Sequence, residues 1–300
     1  MTGREPPVVL VDPLTGAPVI ITASRQHRPN EGPGAMVTRA AGAATGCPFC
    51  PGGLEAPEHY DVRWFVNRWP AMDGDRCEVI LYTPDHNASF AGLGQDGARR
   101  VVDLWADRTA ALGARTDVGY VLIFENRGAQ VGATIAHPHG QIYAFAGVPP
   151  VPTRELSATP CPLCAETAEN RLVAEAPGWR AWVPAAAAWP FAITVAPVDH
   201  RPDLPSLADD ERDALAALLV DVLGRLDRLF DAPMPYFLWI HQRPTDGQPW
   251  PNAHLHVEIC PLYRAPGTPR FVASGELGSG IFFNPVAPDE AARRLRDAEA

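Results

Sequence analysis

A His-Pro-His-Gly-Gln pentapeptide beginning at His137 is the segment of this chain best suited to chemistry. Side chains alternate along an extended segment, so His137, His139 and Gln141 are expected on one face. Pro138 stiffens the backbone, and Gly140 is expected to let a phosphate approach the main chain closely. A rigidly held imidazole beside a neutral amide suits attack on phosphorus, because the ring forms the bond and the amide steadies charge on the phosphoryl oxygens. The plainer interpretations are that both histidines are metal ligands, or that they are ordinary strand residues.

The cysteines and most of the histidines form a pattern that occurs twice. A Cys-Pro-x-Cys motif is followed 36 positions later by a histidine that succeeds an aspartate, and 51 or 54 positions further on by a His-x-His pair. The first copy comprises Cys47, Cys50, His86, His137 and His139, and the second comprises Cys161, Cys164, His200, His254 and His256. The chain is therefore interpreted as an internal duplication.

Each copy offers two thiolates and two imidazoles, a closed tetrahedral set typical of structural zinc. The predicted first zinc site is Cys47, Cys50, His86 and His137, and the predicted second site, where the metal could instead be iron, is Cys161, Cys164, His200 and His254. A redox pair or a disulfide is the alternative for each Cys-x-x-Cys motif, but the recurring histidine spacing favours metal. Cys77 and Cys260 remain as buried thiols.

The two copies differ after the His-x-His pair. With His137 assigned to metal, His139 is available for chemistry and is followed by glycine and glutamine. His256 is followed by Val257 and Glu258, a β-branched side chain and a carboxylate that would repel a phosphoryl oxygen. The pattern indicates one phosphate site and one structural copy.

These residues resemble the galactose-1-phosphate uridylyltransferase family, the transferase branch of the histidine-triad superfamily. Besides the pentapeptide, the resemblance rests on Arg25–Pro29, Phe65–Asn67, Phe124–Asn126, Gly132–Thr134, Trp239–His241, His254–His256 and Gly275–Gly280. It implies an internally duplicated, histidine-triad-like α+β fold whose antiparallel sheets form a half-barrel with flanking helices. It also implies ping-pong transfer of UMP from UDP-glucose to galactose 1-phosphate, in galactose metabolism, through a uridylyl-histidine.

The resemblance implies roles for individual residues. His139 is the nucleophile and Gln141 hydrogen-bonds the phosphoryl group. Substrate-binding roles are implied for Arg25, Arg28, Asn67, Asn126, Thr134 and Glu276. Among these, the asparagines contact the nucleoside diphosphate, the threonine lies near the phosphate and the glutamate holds sugar hydroxyls. The arginines are expected to act across a homodimer interface.

A second metal is held in some members of the family at positions that match Glu155, His241, His254 and His256. Because the second Cys-x-x-Cys motif competes for the same role, His254 is assigned to the four-ligand zinc site. The roles of Glu155, His241 and His256 are left open.

The chain also departs from the family pattern. Ala136 replaces a proline that often precedes the pentapeptide, and Gly278–Asn284 lacks an obvious match for a glutamine that contacts the sugar. The sugar preference therefore stays open, and an ADP-sugar phosphorylase or adenylyltransferase is the alternative. A hydrolase is disfavoured because Gln141 replaces a third histidine. A non-catalytic zinc scaffold is disfavoured by the asymmetry between the copies.

Composition indicates a cytoplasmic enzyme of small molecules. The 300 residues are 46% hydrophobic, enough for a substantial core. A net charge of −10 argues against a nucleic-acid groove, and no run approaches a membrane span. The amino terminus lacks a signal pattern, so the paired Cys-x-x-Cys motifs indicate a reducing compartment.

The duplication predicts two halves, residues 1–150 with the pentapeptide and first zinc site, and residues 151–300 with the second metal site and the sugar-binding segment. Period-two segments in both halves predict antiparallel strands, and hence an α+β fold. Helices are predicted near 96–112 and over 207–230, the latter with Ser206 and Asp209 in capping-box spacing. A final amphipathic helix is predicted to open at Pro288.

Overall fold

The computed structural model describes residues 8–11, 16, 18–21 and 46–299. The predicted substrate ligands Arg25 and Arg28 lie outside the described residues. In the described part of the chain, no helix is both long enough and apolar enough to cross a membrane.

Strands in chain order are β1 (Val8–Val11), β2 (Pro18–Ile21), β3 (Arg63–Val66), β4 (Cys77–Leu81), β5 (Tyr120–Arg127), β6 (His139–Phe145), β7 (Leu172–Ala176), β8 (Trp179–Trp182), β9 (Ile193–Pro197), β10 (Tyr236–His241), β11 (His256–Pro261), β12 (Tyr263–Ala265) and β13 (Thr268–Pro269). Across the described residues, nine of these form one antiparallel sheet in the order β3-β4-β6-β5-β10-β11-β9-β8-β7. The strands β1 and β2 form a separate hairpin, as do β12 and β13.

The strand order makes the duplication visible. The order β3-β4-β6-β5 recurs as β8-β9-β11-β10, and the two copies meet where β5 pairs with β10. At this seam Ile123 lies opposite Ile240. The predicted α+β class with antiparallel strands and flanking helices is confirmed, and both halves share a single continuous sheet.

The helices are α1 (Gly94–Gly113), α2 (Pro150–Leu156), α3 (Pro162–Ala165), α4 (Asp209–Arg228), α5 (Ser274–Ser279) and α6 (Pro288–Asp297). The long helices occupy equivalent positions, α1 between β4 and β5 and α4 between β9 and β10, and they pack against each other. All three predicted helices are confirmed. The predicted start of α4 was wrong: Leu204–Ser206 forms a 3-10 turn, and the Glu211 carboxylate accepts the Ala208 N–H at 2.9 Å at the helix start.

The main core lies between the long helices and one face of the sheet. The apolar stripe of α4, including Leu215, Leu219 and Val222, is fully buried together with the sheet residues Ile80 and Ile142. Since successive strand residues point to opposite faces, the side chains between these core positions project from the other face. That second face carries the candidate site.

Candidate active site and metal centres

Register places the side chains of His139 and Gln141 on the face of the sheet away from the long helices. Gln141 pairs with Val79 on β4 and with Phe124 on β5, and directly paired residues share a face. Burial along β6 alternates, with the core side fully buried and His139 and Gln141 half-buried. The predicted common face of these two side chains is therefore seen in the structure.

A backbone contact orients the His139 ring. Its Nδ1 lies 2.8 Å from the carbonyl oxygen of His137, so this nitrogen donates its proton and the lone pair resides on Nε2. The Phe49 ring lies edge-on to the imidazole, with centroids 5.2 Å apart. The ring is thus held in the tautomer that a nucleophilic Nε2 requires.

Asn67 fixes the amide of Gln141. Its Nδ2 donates to Gln141 Oε1 at 3.3 Å, and its Oδ1 accepts the Trp69 N–H at 2.8 Å. Because the Gln141 oxygen is engaged from this side, the amide offers its N–H donors elsewhere. The structure thus joins two predicted site residues in one hydrogen-bonded pair.

Packing on the core side of β6 requires a glycine at position 140. A Cβ at this position would lie 2.2 Å from the hydroxyl oxygen and 3.0 Å from Cζ of Tyr82, which is buried in the core. The proposed reason for this glycine, phosphate approach, was wrong, because the missing side chain points away from the candidate site. No local pattern indicates this contact, since Tyr82 lies 58 positions earlier.

The first predicted metal set comes together at the start of β6. Cys50 Sγ lies 3.5 Å from His86 Nδ1 and 3.6 Å from His137 Nδ1, and Cys47 Sγ lies 3.9 Å from His137 Nδ1. The ligand atoms of all four residues lie within 4.8 Å of one another. Burial raises the pKa of Cys50 to about 11, with the neighbouring Cys47 adding to it.

Hydrogen bonds at Nε2, on the side of the ring away from the thiols, orient His137. Its Nε2 donates to the carbonyl of Thr83 at 2.7 Å, which leaves Nδ1 facing the thiols. The Tyr60 hydroxyl lies 3.0 Å from the same Nε2 and donates to the Phe49 carbonyl at 2.7 Å. Burial lowers the pKa of His137, which favours the neutral form that metals bind.

The second predicted set repeats this geometry at a more exposed place. Cys164 Sγ lies 3.1 Å from His200 Nδ1, and His254 Nδ1 lies 3.5 and 3.4 Å from the sulfurs of Cys161 and Cys164. Nε2 of His254 donates to the carbonyl of Pro197 at 3.1 Å, and burial lowers its pKa. Cys164 and His200 are exposed, whereas Cys47 and His137 at the first site are buried.

A third group of possible ligands lies on β10, β11 and α2. Nδ1 of His241 lies 2.7 Å from Oε2 of Glu155, and Nε2 of His256 lies 3.7 Å from the same oxygen and 3.8 Å from Oε1 of Glu258. These four residues line a cavity of about 340 Å³ that they share with Cys161 and His254. Burial and the adjacent His241 lower the pKa of His256 to about 4.

Sequence reasoning missed Glu258 as a possible ligand. It follows His256 by two positions on β11 and so shares its face, a spacing visible in the sequence. It was interpreted only as an obstacle to phosphate. The structure separates His254, which faces the thiols, from the group that the resemblance had placed with it.

The remaining predicted substrate ligands are dispersed. Asn126 lies on the site face of β5, two residues from Phe124, and Thr134 is exposed in the loop before the pentapeptide. Glu276 is buried and accepts hydrogen bonds from Arg270 Nη2 at 2.6 Å, the Ala273 N–H at 2.8 Å and the Phe283 N–H at 2.9 Å. The Glu276 carboxylate thereby ties together the segment 270–283, and these contacts lower its pKa.

Fold and site together define a class: a duplicated α+β protein in which both halves gather thiols and imidazoles and one half presents an imidazole and a carboxamide on its sheet. Two family models match the chain, galactose-1-phosphate uridyl transferase N-terminal domain over residues 68–149 and C-terminal domain over residues 151–273.

Similar proteins point the same way. A galactose-1-phosphate uridylyltransferase of Thermotoga maritima is 35% identical, with 96% of this chain and 97% of that protein covered. A solved structure described as uridylyltransferase has a TM-score of 0.81 at 29% identity, with 97% of each chain covered. An ADP-glucose phosphorylase of Arabidopsis thaliana is 24% identical over 98% of this chain and 93% of its own length. The chain belongs to the galactose-1-phosphate uridylyltransferase family, and the predicted resemblance is confirmed.

Proposed function

We propose that this protein transfers UMP from UDP-glucose to galactose 1-phosphate by a ping-pong mechanism in galactose metabolism. Family membership supports this reaction. The observation that carries the chemistry is the His139 ring, held by the His137 carbonyl with Gln141 on the same face. The second half has the same ring contact, His256 Nδ1 to His254 carbonyl at 2.8 Å, but a carboxylate where Gln141 stands.

In the first step, Nε2 of His139 attacks the α-phosphorus of UDP-glucose. The new N–P bond forms as the bond from phosphorus to the bridging oxygen breaks, and glucose 1-phosphate leaves with that electron pair. The Nδ1 proton stays on its hydrogen bond to the His137 carbonyl and steadies the positive charge that develops on the ring. N–H groups of Gln141 donate to the phosphoryl oxygens.

In the second step, a phosphate oxygen of galactose 1-phosphate attacks the same phosphorus. The N–P bond breaks, its electron pair returns to Nε2 of His139, and UDP-galactose leaves. An imidazole suits both steps because it is nucleophilic when neutral and departs readily from phosphorus.

The remaining site residues keep their predicted roles in this proposal. Asn67 and Asn126 contact the nucleoside diphosphate, Thr134 lies near the phosphate and Glu276 serves the sugar end. Arg25 and Arg28 act across a homodimer interface. We likewise propose that residues 1–150 carry the chemistry, that residues 151–300 carry the sugar segment, and that the protein acts in the cytoplasm.

Zinc is proposed for both Cys₂His₂ sets, because two thiolates and two imidazoles suit it and each buried histidine has its second nitrogen hydrogen-bonded. Bound there, the ion would supply folding free energy. His137 connects the first set to the chemistry, since its ring faces the thiols while its carbonyl holds the His139 ring.

The family's other metal position also fits residues of this chain. Glu155, His241 and His256 gather as the resemblance implies, and Glu258 supplies the fourth donor where His254 is engaged by the thiols. Two carboxylates and two imidazoles suit iron or zinc. We propose that this group holds a divalent metal of structural role.

The alternative substrate is an ADP-sugar, which a phosphorylase would cleave with the same His139. Intact-protein mass spectrometry after incubation with UDP-glucose, ADP-glucose and GDP-mannose separates these possibilities. A uridylyl adduct on wild type that is absent from His139→Ala supports the proposal. An adenylyl adduct alone would favour the alternative. No adduct with any donor, on protein that retains its metal, would overturn both.

A further inference from the structure

The core-facing side of β6, the strand that carries His139, differs from the core-facing side of β11, its counterpart in the second half. On the core side, Val257 of β11 pairs with Ile240 of β10, and both are fully buried. The corresponding residues of the first half are Gly140 and Glu125, which lie one step beyond Phe124–Gln141, the last pair between β5 and β6. An apolar pair in one half thus corresponds to a glycine and a buried acid in the other.

The Tyr82 ring fills the space that a side chain at position 140 would occupy. The Tyr82 N–H donates to the carbonyl of Pro138 at 3.3 Å, which places the residue diagonally across from Gly140. Its ring packs edge-on against Phe90 and Trp105, with centroids 5.5 and 6.1 Å away. These contacts hold the hydroxyl against the Gly140 backbone.

Glu125 and Tyr236 complete this arrangement. The Tyr82 hydroxyl lies near the Glu125 carboxyl, whose Oε1 accepts a hydrogen bond from the Tyr236 hydroxyl at 3.0 Å. Burial raises the pKa of Glu125 to about 7, while nearby Arg127 opposes the shift. Burying an acid and two phenols costs free energy that an apolar pair avoids. Stability alone would therefore favour the solution that the second half uses.

We propose that Tyr82 and Glu125 are positioning residues that set the place of His139 and Gln141 by holding the backbone of Gly140 between them. His139 and Gln141 flank that glycine on the same strand, so movement at position 140 displaces both from the phosphorus. A displacement of about 1 Å at reacting groups can lower a rate about 100-fold. This inference rests on the proposed function.

The test is the single-turnover rate of uridylylation by UDP-glucose in full-length Tyr82→Phe, Gly140→Ala and the double variant. Gly140→Ala is expected to lower the rate about 100-fold, and adding Tyr82→Phe to restore at least about tenfold by removing the clashing oxygen. Tyr82→Phe alone is expected to lower the rate about tenfold, with little change in the apparent affinity for UDP-glucose.

Val257→Ala is the matched control. It weakens the core at the equivalent position of the second half, so it is expected to lower the melting temperature and leave the rate within about twofold. Tyr82→Phe that melts lower yet reacts at the wild-type rate would show a merely structural role and overturn the inference, even if Gly140→Ala fails to fold. Wild type that forms no uridylyl adduct would instead overturn the proposed function, and this inference with it.

Discussion

The two halves of the sheet share one framework and differ at a few side chains. Both contain a Cys₂His₂ group and a histidine ring held by the carbonyl two residues earlier, at 2.8 Å in each case. The first half then places Gln141 two residues later on the same face of the strand, hydrogen-bonded to Asn67. The second half places Glu258 there, near His256 and Glu155. The framework therefore provides a held imidazole in both halves. In the proposed function, the residue two positions later separates phosphoryl chemistry from cation binding.

The largest expected difference between the halves comes from replacing the held histidine of each one, His139 and His256, in turn. His139→Ala is expected to lower UMP transfer by about 10⁴-fold or more, because Nε2 of His139 forms the bond to phosphorus in the proposed mechanism. His256→Ala is expected to stay within about threefold. Steady-state transfer rates and metal content by mass spectrometry measure both. Loss of zinc along with activity in His139→Ala would identify His139 as a ligand and break the comparison.

The two Cys₂His₂ groups are expected to differ in their contribution to stability. Cys50→Ser should lower the free energy of unfolding by roughly 4 kcal/mol and Cys164→Ser by roughly 2 kcal/mol, because the first group is more buried. Chemical unfolding with metal analysis checks this. Unchanged metal content and stability in Cys50→Ser would contradict the assignment of the first site.

Exchanging the deciding residues sharpens the comparison. Gln141→Glu is expected to lower transfer about 10²–10³-fold, since a carboxylate replaces a donor to the phosphoryl oxygens. Glu258→Gln should leave transfer within about threefold and reduce only the metal bound by the third group. Equal losses of transfer in the two variants would mean that both halves contribute to the reaction.

The smallest effect concerns stability against pH. Burial raises the pKa of Glu125 from 4.5 to about 7, so the folded state binds more protons between these values and stability falls as pH rises through that window. Glu125→Gln lacks this loss. The difference in free energy of unfolding between Glu125→Gln and wild type should therefore shift in favour of the variant by about 2 to 3 kcal/mol as the pH rises from 5 to 8.

The matched control for this measurement is Ile240→Val at the corresponding position of β10. Its difference from wild type should not vary with pH, because no titratable group is removed. A constant difference between Glu125→Gln and wild type would show that the carboxyl ionises normally in the folded protein.

The sequence was most informative where the spacing of residues along the chain predicts that they lie together. The repeated spacing of cysteines and histidines predicted both Cys₂His₂ groups, and the alternation of β6 predicted the common face of His139 and Gln141. Apolar periodicity predicted the long helices, although the start of α4 depends on Glu211 rather than on Ser206. These features depend on residues close in sequence or on a pattern that occurs twice.

Contacts between distant segments were not accessible in the same way. The need for glycine at position 140 comes from Tyr82. Residue spacing does not place Glu155 of α2 over β10 and β11 either, and only the resemblance grouped it with His241 and His256. Neither contact leaves a periodic signal, because each joins elements that meet only in the folded sheet. The single continuous sheet also depends on pairing between β5 and β10, which no local pattern specifies.

That seam has an evolutionary consequence. A chain consisting of one half alone would end its sheet at β5 or β10 and expose a row of unpaired backbone N–H and C=O groups. Such an edge is satisfied most simply by a second copy of the same half, related by a twofold axis. The β5–β10 pairing is what such a self-paired ancestor would leave after gene fusion. Joined in one chain, each half is free to change its side chains independently of the other, and Gln141 in one half and Glu258 at the corresponding place in the other are such a difference.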